Sequence, residues 1–433
     1  MAGSATAAAR QQCEQLFNKL KHCGHDAETA ARLDSSMALR GFRSAGHAPS
    51  LIAGVVHFDV SFMAWVLLGA LGAYIAEDLG LSPMQKGLMV AVPSLGGSVF
   101  RLVLGPLADR VGIKSLGLIT LALTTIPLVA GALIANSYPM VLVVGTALGV
   151  AGASFAVVLP LASRWYPPEY QGLALGIAGA GNSGTVIAAL VAPRLAEHVG
   201  WHGVFAIMLV PVFLAGGLFA ILAKEPPAPP EAGRRGLLDL LTEADARWLC
   251  VFYAVTFGGF VGLSSYLSIF FVDRFDLNKV TGATFAAICA IAGSLLRPLG
   301  GALGDRFDGL RVLTVTLGAV AALAAMLALL PDLAVTTAVL FTLLGLLGMG
   351  NGAVFQVVGV RMRAHVGTMT GLVGAAGGIG GFALPFLFGS LRGSTGTFAT
   401  GFVMFAIVAA STSVAVLTRY RRWSPAGAVA MAS

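Results

Sequence analysis

From Leu51 to Thr418 long apolar runs alternate with short polar breaks. The runs are continuous rather than alternating, and most exceed 18 residues, which predicts membrane-crossing helices and not strands. They fall near 51–76, 87–108, 115–135, 140–163, 173–194 and 202–223, and after an interruption near 247–271, 282–304, 312–331, 334–358, 367–390 and 397–418. The run from Gly87 to Ala108 has 22 residues; at ~1.5 Å per residue it reaches about 33 Å, enough for a hydrocarbon core of ~30 Å. The interruption, "KEPPAPPEAGRRGLLDLLTEADAR", is polar, and its prolines stop helix propagation. The expectation is an all-α polytopic membrane protein of twelve transmembrane helices. Its parts are an N-terminal tail (1–50), a six-helix bundle (51–224), a linker (225–246), a second six-helix bundle (247–419) and a C-terminal tail (420–433).

Composition agrees with the pattern. The chain is 57% hydrophobic and 11% charged, against roughly 25% charged residues in soluble domains. The net charge of +7 does not point to nucleic acid, because the charges sit at helix ends and in short loops. Residues 1–50 hold no continuous apolar stretch of the kind a signal peptide needs; 13–31 reads as a short surface helix. Cys13, Cys23, His22 and His25 lie in this tail and Cys250 and Cys289 in apolar runs; no spacing suggests a disulfide framework or a metal site.

Lysine and arginine counts orient the chain. With both termini inside, the tails and inner loops carry twenty of the 27 basic residues. The outer loops carry five: Lys86, Arg194, Arg274, Lys279 and Arg392. Both termini are therefore expected in the cytoplasm of a cell with this protein in its inner (plasma) membrane. Two arginines remain, Arg101 and Arg297, and both lie inside spans.

Those two arginines are in register. "RLVLGPLADR" (101–110) matches "RPLGGALGDR" (297–306): arginine, glycine four later, then Asp-Arg, at an offset of 196. "GASFAVV" (152–158) matches "GAVFQVV" (352–358) at an offset of 200, and "FDVSF" at 58 resembles "FYAVTF" at 252. The chain is a duplicated six-helix unit, an arrangement suited to halves that rock about a central site. A lone arginine within a span costs at least ~2.5 kcal/mol. Snorkelling would relieve part of this for Arg101. Two pseudo-equivalent arginines facing one another instead suggest an anion between them, since each guanidinium is a planar fork of donors. The glycine-rich runs "GIAGAGNSG" and "GLVGAAGGIGG" allow close helix approach, leaving room for a small ion.

The loop "GPLADRVGIK" (105–114), with its degraded copy "GALGDRFDGLR", resembles the signature of the major facilitator superfamily, whose fold is two six-helix bundles. Asp109, Arg110, Asp305 and Arg306 would then form conformational latches on the inner side. "RWYPPEYQGLALGIAGAGNSG" and "GLVGAAGGIGGFALP" are similar to the two signature segments of its nitrate/nitrite porter family. That resemblance implies anion binding by Arg101 and Arg297, hydrogen bonds from Tyr253 and Asn182, and a sandwich of the flat ion between Phe155 and Phe355. Nitrate is flat and weakly hydrated, so it suits an apolar slot better than phosphate or sulfate.

Coupling is a separate question. Asp59 lies in the first span at the pseudo-equivalent of Tyr253 and is the candidate for proton coupling. Either it is a helix-end carboxylate, or it offsets the arginines when ionised and carries a proton with nitrate when protonated. Proton-coupled nitrate uptake is the favoured expectation; nitrate/nitrite exchange is the alternative, and an anion channel, or a facilitator for another anion, is the alternative of a different class. No hydrolase, metalloprotease or nucleotide-binding motif is present, so no enzyme activity, cofactor or metal is expected. The expected partners are nitrate, nitrite, protons and the bilayer, with the protein a monomer.

Overall fold

The computed structural model describes residues 42, 44–227, 237–362 and 366–423. The expected helix at 13–31, the Cys13/Cys23 cluster, the middle of the linker and the tail beyond 423 lie outside the described residues. Within these limits the chain is helical, with no strand.

The first span is three segments in line: α1 (Ala48–Trp65), α2 (Leu67–Ala70) and α3 (Gly72–Asp78). Then come α4 (Pro83–Val111) and α5 (Ile113–Leu133). The fourth span breaks into α6 (Tyr138–Gly152) and α7 (Phe155–Trp165). The fifth begins as α8 (Pro168–Gly179), passes through a 3₁₀ turn (Ala180–Ser183) and continues in α9 (Gly184–Leu222). A short α10 (Leu237–Thr242) precedes six uninterrupted spans: α11 (Ala244–Phe275), α12 (Lys279–Phe307), α13 (Gly309–Leu327), α14 (Leu333–Arg361), α15 (Val366–Thr395) and α16 (Ala399–Trp423).

Among the described residues eleven stretches are long and apolar enough to cross a membrane. One of them, Ala174–Leu222, has 49 residues and as a straight helix would reach about 73 Å, more than twice the hydrocarbon thickness. It turns at Gly200, where φ is 69°, a left-handed conformation that glycine adopts without strain. It therefore makes two crossings, and the total among the described residues is twelve.

Short-range chemistry sets the helix ends. Ser82 and Gln85 form a capping box before Pro83 at the start of α4. Asn278 and Asp332 cap α12 and α14 through the amides of Thr281 and Val335. The repeat extends to the backbone. Gly112 (φ 86°) separates α4 from α5, and Asp308 (φ 76°), again 196 residues on, separates α12 from α13. In the first half the cap comes from a distance: Glu225 accepts from the amides of Ile113 (2.6 Å) and Lys114 (2.9 Å). In the second, Asp308 caps locally through the amide of Leu310.

Each half packs into a bundle, and the two meet along α4 with α15 and along α9 with α12. These pairings are the second span with the eleventh and the fifth with the eighth, as a twofold-related duplication requires. The interface is tight on the face away from the termini. There a Cβ on Gly87 would lie 2.8 Å from the Cα of Gly389. Lys86 pairs with Asp273 at 3.0 Å, Lys279 with Glu77, and Arg194 donates to Thr284. Toward the termini the described residues show no such contact: a Cβ on Gly105, Gly359 or Gly371 would meet open space, and one on Gly176 only Pro298, at 3.9 Å.

Candidate anion site

Arg101 is 1% exposed, at the middle of the bundle interface. It is not left uncompensated. Its Nε and one terminal nitrogen donate to the carbonyl of Gly152 (3.0 and 2.8 Å), and the other terminal nitrogen to the carbonyl of Gly374 (2.5 Å). The break in the fourth span frees the first acceptor. The amide of Ala156 turns back to Ala153 in a tighter turn, so the Gly152 carbonyl at the end of α6 points to Arg101. That carbonyl is also the negative end of the α6 dipole. Trp65, Phe155 and Phe257 surround the guanidinium at 5.1, 5.3 and 5.5 Å from their ring centres, within cation–π range. Charge-assisted hydrogen bonds contribute about 1.5–3 kcal/mol each. The carbonyls of Gly152 and Gly374 are thus enough to offset the insertion cost. Neither snorkelling nor an anion is required to explain Arg101 alone.

Arg297 differs. It is 8% exposed, and one of its terminal nitrogens is buried with no hydrogen-bond partner. Its guanidinium lies 5.8 Å from the Phe155 ring centre and 5.7 Å from that of Phe355. Both arginines therefore touch Phe155, which bounds their separation at about 11 Å. Tyr253, fully buried, stacks on Phe257 at 4.9 Å, meets the edge of Phe355 at 5.1 Å, and lies in the field of both guanidiniums. Its hydroxyl lies within reach of Arg297 but makes no hydrogen bond of full geometry.

Asn182 sits in the 3₁₀ turn, fully buried, with neither side-chain atom bonded. Its backbone carbonyl accepts from Ser294, one helical turn before Arg297. The structure thus gathers Arg101, Arg297, Tyr253, Phe155 and Phe355 in one cluster, and Asn182 packs beside the helix of Arg297. Phe155 and Phe355, however, are 5.7 Å apart and tilted by 50°, in direct contact. A flat ion between parallel faces needs about 7–8 Å, twice an ordinary carbon contact. No slot between these rings is open in this conformation.

Asp59 is half-buried and accepts from the Ser183 hydroxyl at 2.7 Å. Its described partners are thus Ser183, next to Asn182, and the amide of Gly184, and no arginine pairs with it among the described residues. Of the proposed latch residues, the Asp109 side chain lies outside the described residues. Arg110, Asp305 and Arg306 are exposed, and Arg306 lies against Phe307. Among the described residues no ion pair links these three to the opposite bundle.

Three elements were not foreseen from sequence: the two carbonyl acceptors, the aromatic ring of Trp65 and Phe257, and Asn351. Asn351, in α14, is fully buried with both side-chain atoms unpartnered. Its only signal is a single amide in the apolar run "GMGNGAVF".

The family model described as Major Facilitator Superfamily matches residues 53–385. The chain is 35% identical to a probable nitrate/nitrite transporter, NarK2, of Mycobacterium tuberculosis (strain ATCC 25618 / H37Rv), over 80% of this chain and 89% of that one. It is 32% identical to the nitrite extrusion protein of Bacillus subtilis (strain 168), over 86% and 92%. It is 34% identical to a probable nitrate/nitrite antiporter, NarK1, of Thermus thermophilus, over 82% and 87%. In fold it resembles a bacterial homologue of the human lysosomal transporter Spinster, solved in an inward-facing, occupied conformation. The TM-score is 0.65 and the identity 19%, over 87% of this chain and 98% of that one. A duplicated twelve-span fold, two signature segments and relatives matched over most of their length lead to one conclusion: the chain belongs to the major facilitator superfamily and, within it, to the nitrate/nitrite porters.

Proposed function

We propose that this protein is a secondary active transporter of nitrate and nitrite, working by alternating access across the plasma (inner) membrane with both termini in the cytoplasm. The observation that carries the reading is a set of buried polar groups without a hydrogen bond of full geometry: a terminal nitrogen of Arg297, the Tyr253 hydroxyl beside it, and the Asn182 amide, whose turn packs on the helix of Arg297. Buried donors are normally satisfied, and an oxyanion supplies the acceptors that these lack. The printed names of the relatives, nitrate/nitrite transporter, nitrite extrusion protein and nitrate/nitrite antiporter, support the choice of ion.

The same geometry supports a sequence of events. With open space at Gly105 and Gly371 toward the termini, an anion enters from that side and reaches Arg297. Arg101 already joins the bundles through Gly152 and Gly374. The anion adds a second link, from Arg297 and Tyr253 on one bundle to Asn182 on the other. That link draws the open face closed. The chemistry is binding and release; no bond is made, and neither cofactor nor metal has a role.

The favoured coupling is proton symport through Asp59. Ionised, Asp59 accepts from Ser183 in the turn that also carries Asn182. Protonation removes part of that acceptor and frees the turn, so proton and anion binding are linked through two adjacent residues. Asp59→Asn is expected to abolish uptake driven by a pH gradient in proteoliposomes while sparing nitrate/nitrite counterflow. Full gradient-driven uptake by the variant would make Asp59 structural and leave exchange as the mode of transport.

A further inference from the structure

Asn351 has no part in the site as the sequence outlines it. It is fully buried within α14, and neither its Nδ2 nor its Oδ1 has a partner. An amide with all its capacity unused in the interior of a helical bundle is rare unless a ligand completes it. Helix geometry gives its place. Phe355 lies four residues on, on the same face of α14, and touches both Tyr253 and Arg297. Gly352, the next residue, packs so closely on α12 that a Cβ would collide with the backbone carbonyl of Arg297. Asn351 therefore sits one turn from Phe355, beside the helix that carries Arg297, on the side toward the sealed face.

The repeat argues that this amide is not required by packing. At the offset of 200 that aligns the two phenylalanine motifs, the first half has Ala151, which is also buried. The polar group is present only in the half whose arginine has an unpartnered nitrogen. Around Arg101, whose donors are spent on carbonyls, no such group is needed.

We infer that Asn351 is a further anion-binding residue, its Nδ2 donating to the oxyanion that Arg297 holds. The two arginines then have unequal tasks: Arg297, with uncharged donors gathered around it, is the binding centre, and Arg101 joins the bundles beside it. This inference rests on the reading of the protein as a nitrate/nitrite transporter.

The test uses the full-length protein, reconstituted for uptake and in detergent for thermal unfolding, with potassium nitrate as the probe. Asn351→Leu keeps the side-chain size and removes the polar atoms. Its unfolding midpoint without nitrate is expected to equal or exceed that of the wild type, because an unsatisfied amide has gone. The rise in midpoint that nitrate produces should shrink, and the KM for uptake should increase by roughly ten-fold or more, as for one lost hydrogen bond to a charged group. Asn351→Asp, of equal size but anionic, should raise KM further. If Asn351→Leu keeps the wild-type KM and nitrate response, the inference is wrong. Should the leucine variant not fold, Asn351→Ser, which retains a donor, decides the matter: a KM raised about two- to five-fold supports the inference, and an unchanged one overturns it. If the wild type neither moves nitrate or nitrite nor is stabilised by them, the transport reading itself falls, and this inference with it.

Discussion

At the scale of single residues the central contrast is between the two intramembrane arginines. They occupy equivalent positions in a duplicated sequence, yet Arg101 donates to two carbonyls while Arg297 keeps a free donor. Substituting lysine keeps the charge but replaces the planar fork by a point donor, and the two substitutions are expected to differ. Arg297→Lys should leave the unfolding midpoint near that of the wild type and reduce transport at least ten-fold, through a higher KM. Arg101→Lys should lower both the midpoint and transport, because a single ammonium cannot replace the hydrogen bonds that reach Gly152 on one bundle and Gly374 on the other. Thermal unfolding with uptake kinetics on both variants checks this; equal effects on stability would contradict the asymmetry. The arginines themselves were legible in the sequence because a lone charge in a span stands out. Their different surroundings were not, since backbone acceptors leave no trace in side-chain patterns. Asn351 escaped for a related reason: one amide in an apolar run has no partner in sequence that would mark it.

At the scale of elements the two halves diverge where the sequence reads as most alike. The fourth span breaks at Ala153–Ser154 and the fifth passes through a 3₁₀ turn, while their counterparts α14 and α15 run unbroken. Breaks of this kind expose backbone groups within the membrane, and are tolerated only where protein or cavity satisfies them. Here Arg101 takes one freed carbonyl and Asn182 rides on the turn. Hydropathy gave the spans to within a few residues of their ends, but a local break does not change hydropathy, so neither discontinuity could be read from it. The N-terminal ends show how loops are held. His47 accepts from the amide of Ser50, whose hydroxyl accepts from the backbone amide of Lys224, and burial followed by the Lys224 charge holds His47 below the usual histidine range. Next in line, Glu225 caps α5 at Ile113 and Lys114, the last two residues of "GPLADRVGIK". Glu225→Ala is expected to remove that cap and lower stability by about 0.5–2 kcal/mol, seen as a lower unfolding midpoint with substrate KM unchanged. A raised KM with full stability would assign Glu225 to the transport cycle instead.

At the scale of the whole molecule the bundles are closed tightly on one face, while toward the termini Gly105 and Gly371 of α4 and α15 meet open space. The closed face is held by close glycine contact and by charge: Asp273 on α11 pairs with Lys86 on the opposite bundle at 3.0 Å and with Arg392 on its own at 2.6 Å. Opening this face must separate Lys86 from Asp273. Asp273→Asn is therefore expected to shift the population toward the opposite opening. Met84 and Gly393 face each other across this seal; spin labels at these positions, in a background without the native cysteines, should show a longer distance component in the variant. An unchanged distribution would mean that glycine packing alone keeps the face shut. The sequence counted Lys86 and Arg392 only as outer-loop charges and could not show that they converge on one carboxylate, because that contact spans 187 residues.

The central claim is that the Arg297 cluster binds and carries a small oxyanion between the bundles. Its most direct test is entry of labelled nitrate into proteoliposomes loaded with unlabelled nitrite, for the wild type and for Arg297→Lys. The expected result is saturable entry that trapped nitrite accelerates in the wild type, and little entry above protein-free vesicles in the variant. Wild-type entry no faster than in empty vesicles, or wild-type rates retained by Arg297→Lys, would contradict the account.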